Sequence, residues 1–491
     1  MKIFKKNLSP NSSRFLYDVG ISFLTSCVVL SFTKYLLKQE ESVAIFLAPL
    51  LFVSFNLLLG IYTKFKVRGS EVKAPILSIS ILATVATLYF LNVNLSSLIL
   101  WGLISWSPLV LPRIFLNYNT RLGTGMIAST IREKGPVLVV GGAGYIGSHV
   151  VEQLLSEGIP VRILDKFLYG KEPIQHFLSN PLLEIVEGDI TDIMKLTEAI
   201  NNASAVIHLA GLVGDPACAV DSNFTRHTNI IATRMLKEVA ISSGVPRFIF
   251  ASSCSVYGAS DEEVDETSQL NPVSLYAQTK IDSERELFSQ INENFTATVL
   301  RFATVFGHSK RPRFDLVANL FTAQAYNDGK ITVVGENQWR PFIHVRDLAR
   351  AIVFVLKAKP EVVNRQVFNV GDSRLNLTIG QLAEIVRKVA SKDKAVEISI
   401  NNNIADRRNY MVSFKKIKKI LGYEASTLME EGVSEMLSNF AEGQYENYRN
   451  KQYSNLEMTR LAVENFRDPE NIARLYTPLA GEVEKQKLVN S

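Results

Sequence analysis

Tyr276 and Lys280 stand four residues apart in the stretch "SLYAQTK". On a helix that spacing puts both side chains on one face. A phenol ordinarily titrates near about 10, and an ammonium beside it favours phenolate and lowers that value. Such a pair can take a proton from a hydroxyl. Tyr–Lys pairs at this spacing are common, so the pair needs company. A second constellation supplies it. Gly141, Gly144 and Gly147 form G-x-x-G-x-x-G in "GGAGYIGSH", directly after the apolar run "PVLVV". Glycines between a strand and a helix allow a tight turn and a close approach of backbone to a diphosphate at the helix N-terminus. Asp165 follows Gly147 by 18 residues, at the end of the next apolar run. A carboxylate there accepts from a ribose 2′-hydroxyl and repels a 2′-phosphate, which favours NAD over NADP. Lys166 and Lys171 nearby argue the other way.

These residues need a scaffold, and the chain supplies one from about Pro136 onward. Strand-like runs occur at 137–141, 161–165, 183–189, 205–211, 247–253 and 297–303. Segments of helical periodicity, such as "HVVEQLLSEG" and "TRMLKEVAISSG", separate some of them. Continuously apolar strands alternating with helices predict an α/β fold, a Rossmann-type doubly wound parallel sheet covered on both faces.

The motifs come in a recognisable order: "GGAGYIG", Asp165, "EGDI", "VIHLAG", "ASSCSVYG", "YAQTK", "RPFIHVRD" and "FNVG". Residues 136 to about 425 resemble an extended short-chain dehydrogenase/reductase of the NAD-dependent sugar epimerase/dehydratase family. The resemblance implies a smaller C-terminal substrate lobe. It also implies that Tyr276 is the acid/base, that Lys280 holds the nicotinamide ribose, and that Ser253 bonds the reacting oxygen. Tyr145 and Ile146 in the turn, Asp189 and Ile190 beside the adenine, and Ala210 and Gly211 complete the expected cofactor contacts.

The resemblance also exposes a difference. Sugar 4,6-dehydratases of this kind carry an Asp-Glu pair directly after the position of Ser253, and decarboxylating relatives keep the Glu. Here the two positions hold Cys254 and Ser255. No carboxylate stands where elimination needs one, so the site reads as built for redox at a single carbon. Arg340 and Arg408 match positions at which relatives clamp a nucleotide diphosphate, with Arg407 adjacent. Guanidinium forks suit that task, although pairing of these arginines with Asp347 or Asp406 is the alternative. Thr304 occupies a place where relatives often have Asn. Cys218, in "GDPACAV", reads as packing.

The rest of the chain bounds the setting. It has 491 residues, a net charge of +5 and 47% hydrophobic residues. No basic run is interleaved with aromatics, so nucleic acid binding is not expected. Cys27, Cys218 and Cys254 are scattered, and neither they nor the six histidines show metal-ligand spacing. Residues 42–63 and 74–112 carry no charge. A membrane span needs about 20 apolar residues, so these runs predict three helices, and residues 19–33 add a shorter fourth. Lys2, Lys5, Lys6 and Arg14 before the first segment and Lys64, Lys66, Arg68 and Lys73 between the second and third put those loops in the cytoplasm. The expected organisation is a transmembrane domain (1–120), a linker (121–135), the cofactor and substrate domain (136–425), and a C-terminal helix with a polar tail (426–491).

The expected activity is NAD-dependent epimerisation of a nucleotide-activated sugar, at C4 through a transient ketone. A homodimer, anchored in a bacterial inner membrane with its catalytic domain cytoplasmic, would serve surface polysaccharide synthesis. Three alternatives stay open: a nucleotide-sugar dehydrogenase or keto-sugar reductase, an epimerase of a polyprenyl-diphosphate-linked sugar, and a non-catalytic NAD-binding scaffold.

Overall fold

The computed structural model describes residues 135–391, 395–401, 406, 408–445 and 447–467, with six further residues between 51 and 85. The chain divides into two compact units, Met1–Met126 and Ile127–Ser491. The four expected membrane helices and the expected linker fall almost wholly outside the described residues. Among the described residues, no helix is long and apolar enough to cross a membrane.

The second unit opens with β1 (Val137–Val140), β2 (Val161–Asp165), β3 (Leu183–Glu187), β4 (Ala205–His208) and β5 (Arg247–Ser253). There follow β6 (Ala259–Val264), β7 (Thr296–Phe302), β8 (Thr304–Phe306), β9 (Lys330–Val334) and β10 (Trp339–His344). The last four are β11 (Gln366–Val370), β12 (Asn376–Thr378), β13 (Glu397–Asn401) and β14 (Asn409–Val412). Seven strands make one sheet in the order β11-β7-β5-β4-β1-β2-β3. Every pairing in it is parallel. All six expected strands are in it, and the "FNVG" motif supplies the seventh. The order reverses between β1 and β4, which opens a crevice at their C-terminal ends.

The pleat explains the apolar strands. Side chains alternate between faces, and both faces are covered. Val137 and Val139 of β1 join one buried cluster with the helix Gly147–Ser156, whereas Leu138 and Val140 join another with the helix Ala232–Ser242.

Smaller sheets build the second lobe, in the orders β12-β10-β8, β13-β9 and β14-β6. A separate core of Phe306, Phe321, Phe342, Leu382 and Met429 holds it together. The segment expected to be a polar tail is packed as far as it is described. Tyr445, Tyr448 and Tyr453 bury their rings around Phe314 and Phe440. The helix Asn455–Arg467 buries Ala462 and Val463 against Phe224. Polar residues between the tyrosines hide this pattern in the composition. The stretch "NIARLYTPLA" lies outside the described residues.

Candidate active site

The glycine turn follows β1 and feeds the helix Gly147–Ser156. Gly141 adopts a φ of +84°, where side chains are strained, and a Cβ there would lie 2.8 Å from Ala210 N. A Cβ on Gly147 would lie 2.1 Å from Gly141 O, so the strand and helix approach as closely as glycine alone permits. Gly144 differs. Its added Cβ would meet only Gly141 O, at 3.2 Å, and no other protein atom within 4 Å. Space on that side is left for something else, and a dinucleotide diphosphate fits the turn. Gly144→Val should therefore give a folded protein that has lost NAD. Nucleotide measured after heat release from purified protein checks this, and NAD at the wild-type level would contradict the assigned turn.

Asp165 ends β2 with its carboxylate fixed from both sides. Ala143 N–H in the turn donates to Oδ2 at 3.0 Å, and Phe167 N–H donates to Oδ1 at 2.8 Å. Burial raises its pKa, while these amides, Lys166 and Arg311 act the other way. The two lysines that argued for NADP are occupied: Lys166 donates to Asp189 at 3.2 Å and Lys171 to Glu187 at 2.6 Å. Asp189 also accepts from Thr191 N–H and Oγ1, both at 2.9 Å. With Lys166 it is held below its ordinary pKa against burial. Asp165→Ala should raise the affinity for NADP relative to NAD. Titration of both nucleotides checks it, and an unchanged ratio would show that Asp165 does not read the ribose.

Ala210 N–H donates to Val140 O at 2.9 Å, which places "AG" at the end of β4 across from the turn. Ile146 precedes the helix and Ile190 is buried beside β3. The Tyr145 side chain reaches the segment after β8. Its hydroxyl donates to Gly307 O at 2.7 Å and accepts from Asn319 Nδ2 at 3.2 Å. Its side chain thus braces the turn against the segment after β8.

Tyr276 and Lys280 share the first turns of the helix Leu275–Phe288. Ser274 caps that helix, accepting from Ala277 N–H, and donates its own proton to Asp215 at 2.6 Å. Lys280 Nζ donates to Ala251 O of β5 at 2.7 Å and sits 5.8 Å from the Tyr276 ring centroid. Ser253 ends β5 against the phenol. Within the protein alone, burial pushes the Tyr276 phenol well up and Cys218 adds to it, while Ser253 and Arg313 act against them. The ammonium is spent on the Ala251 carbonyl, and burial brings Lys280 itself down to about 8.

Behind this helix lies a buried network without a local sequence signal. Glu284 takes two bonds from Arg301, at 3.0 and 2.7 Å, and one from Ser252. Arg301 also donates to Tyr257 OH, which donates to Asn369. Asn229 completes the bracing. Its Nδ2 donates to Leu212 O and Thr279 Oγ1, both at 3.1 Å, and its Oδ1 accepts from Leu212 N–H. It ties the loop holding Gly211 to the helix Leu275–Phe288. Glu284 sits four residues beyond Lys280 on the same helix, a spacing that is visible but unspecific. Asn229 has no signal in the sequence at all.

The positions that hold carboxylates in eliminating relatives are closed here. Cys254 is buried and donates to Arg301 O, with its thiol pushed well up by burial. Ser255 is buried too. Cys218 is a packing residue, its thiol raised to about 12 by burial.

Thr304 begins β8 and pairs with Phe342 of β10, the strand that carries Arg340. Arg340 and Arg408 do converge, but on a carboxylate. Arg340 pairs with Asp406 at 3.0 Å and donates to the backbone carbonyls of Trp339 and Arg408. Arg408 forks onto the same Asp406 at 2.9 and 2.6 Å and meets Asp215 at 3.3 Å. Arg340 is buried and serves the loop. Arg408 is the more open of the two and joins the substrate lobe to the cap of the catalytic helix through Asp215. Asp347, the other proposed partner, is held by Arg350, Ser426 and Thr427 instead. Arg407 lies outside the described residues.

The comparisons match this architecture. The profile of the NAD dependent epimerase/dehydratase family matches residues 137–371. A putative UDP-glucose 4-epimerase of Methanocaldococcus jannaschii is 32% identical over 237 residues, 46% of this chain and 75% of the relative. The UDP-glucuronate 4-epimerase of Thermodesulfobacterium geofontis is 29% identical over 316 residues, 61% of this chain and 94% of the relative. The structure of MoeE5 in complex with UDP-glucuronic acid and NAD superposes with a TM-score of 0.54 at 27% identity, covering 63% of this chain and 100% of that one. Together with the glycine turn, Asp165 at the end of β2 and the Ser253, Tyr276 and Lys280 group, these matches assign the chain to the NAD-dependent epimerase/dehydratase family, extended short-chain dehydrogenase/reductases whose cofactor is NAD.

Proposed function

We propose that the protein is a membrane-anchored epimerase of a UDP-activated sugar, inverting C4 through a transient ketone. One observation carries the reading: Ser253, Tyr276 and Lys280 meet at the end of β5, while the adjoining positions are a buried Cys254 and Ser255 with no carboxylate. Proton transfer is provided for and elimination is not. The curated relatives named above are UDP-sugar 4-epimerases, which supports a UDP-sugar substrate.

Tyr276 Oη takes the proton of the sugar hydroxyl and later returns it. Ser253 holds the same oxygen in line. Lys280, fixed by the Ala251 carbonyl, keeps a positive charge under the ring. Arg408, aimed by Asp406 and Asp215, meets the substrate diphosphate, and Thr304 lies beside the sugar. NAD, when bound, supplies the hydride acceptor and donor and a positive charge that favours the phenolate. The buried setting keeps water from the exchanging proton.

The uncharged runs at 42–63 and 74–112 support an anchor in a bacterial inner membrane, with the catalytic unit in the cytoplasm. An anchor keeps product near membrane glycosyltransferases, in keeping with polysaccharide synthesis. A homodimer through the helices Ala232–Ser242 and Leu275–Phe288 follows from the family resemblance. The test is incubation of detergent-purified full-length protein with a panel of UDP-sugars, read by NMR. A new anomeric signal from one C4 epimer is expected. Conversion that consumes external NAD or NADH in proportion would replace epimerisation with net redox.

A further inference from the structure

Arg311 is a buried cation with no carboxylate in contact. It is 5% exposed. Its guanidinium lies 3.6 Å from the centroid of the Tyr169 ring, Nη2 donates to Asn455 Oδ1 at 2.6 Å, and Nε has no partner. Other buried arginines among the described residues are compensated. Arg301 pairs with Glu284, Arg313 with Asp315 and Arg340 with Asp406. Arg247 donates to the last carbonyls of the helix Val345–Lys357. No carboxylate makes an ion pair with Arg311; Asp165 and Asp315 act on it only from beyond contact. A buried charge is costly unless paired, and its Nε, buried without a partner, is open to an anion at contact.

Its place in the fold says which anion. Arg311 N–H donates to Ser309 Oγ, which donates to the Tyr145 carbonyl in the glycine turn at 3.1 Å. Ser309 also meets Ser148 in the first turn of the following helix, at 3.5 Å. Tyr169, on which the guanidinium stacks, is four residues beyond Asp165. The cation therefore sits between the turn and the ribose carboxylate, the region that takes a dinucleotide diphosphate.

We propose that Arg311 binds the diphosphate of the cofactor together with the glycine turn, and that Asn455 of the C-terminal segment positions it. Asn455 is 7% exposed. Its Oδ1 accepts from Arg311 and from Tyr169 OH at 3.2 Å, and its Nδ2 donates to Val213 O at 3.1 Å. One side chain thus joins the cation to the loops after β2 and β4, which border the crevice. The helix it begins packs on the same loops through Ala462 and Val463, near Leu168, Leu212 and Val220. A segment outside the family match at 137–371 becomes part of the nucleotide site. The inference rests on the assignment of NAD as cofactor.

The experiment is titration of full-length protein, stripped of nucleotide, with NAD, ADP-ribose and UDP. Arg311→Met should weaken NAD and ADP-ribose by about 10- to 100-fold, the worth of a hydrogen-bonded charge, and leave UDP binding unchanged. Asn455→Asp provides a second route. It puts a carboxylate on the guanidinium at the cost of the bond to Val213 O, so ADP-ribose binding should fall in a variant that still unfolds cooperatively. Wild-type affinity for ADP-ribose in either folded variant would overturn the proposal. A loss confined to UDP would also overturn it, by giving Arg311 to the substrate diphosphate. Failure of the wild-type protein to bind NAD would instead overturn the cofactor assignment itself.

Discussion

Tyr276→Phe is expected to lower turnover by about a thousandfold, toward the upper end of what a positioned acid/base contributes, and to leave NAD bound. Only the phenol oxygen is removed. The ring stays packed, and Lys280 keeps its bond to the Ala251 carbonyl. Among the described groups beside Ser253, no open acid or base stands ready to take over the proton. Cys254 is buried with its thiol raised. Near-normal turnover in the variant, with NAD at the wild-type level, would remove Tyr276 from the chemistry.

The second large effect is on stability. Glu284→Ala should destabilise the domain by about 3–5 kcal/mol, the usual result of stripping one partner from a buried ion pair. Arg301 would be left with its charge buried, and Ser252 would lose its acceptor. The network fastens the helix Leu275–Phe288 to β5 and β7, so the variant should also lose activity at temperatures where it remains folded. Thermal unfolding of the variant beside wild type checks the first part. An unchanged melting temperature would mean that water replaces the carboxylate at little cost.

Much of the fold is legible because its physics is local. The parallel strands are continuous apolar runs, since both faces are covered, and a glycine turn after such a run has few other uses. Tyr276, Lys280 and Asp165 are legible for the same reason: each sits at a fixed offset from a motif on one element. What escapes is tertiary. Arg340 and Arg408 read equally well as diphosphate clamps, and only the folded loop shows Asp406 between them. Tyr145 reads as part of the turn, yet its hydroxyl reaches Gly307, 162 residues on. Asn229, Glu284 and Arg301 are ordinary residues until three elements bring them together. The C-terminal tyrosines are diluted by polar neighbours, so a segment that packs into the fold reads as a tail.

The proposed reaction is epimerisation at one carbon with the cofactor regenerated in each turnover. Its most direct test is conversion of a UDP-hexose labelled with deuterium at C4 by the full-length protein in detergent, without added nucleotide. The expected product is the C4 epimer with its deuterium retained and no net NADH, because the hydrogen removed from C4 is the one returned. Loss of the label from product, or conversion only when external NAD or NADH is supplied and consumed, would contradict it.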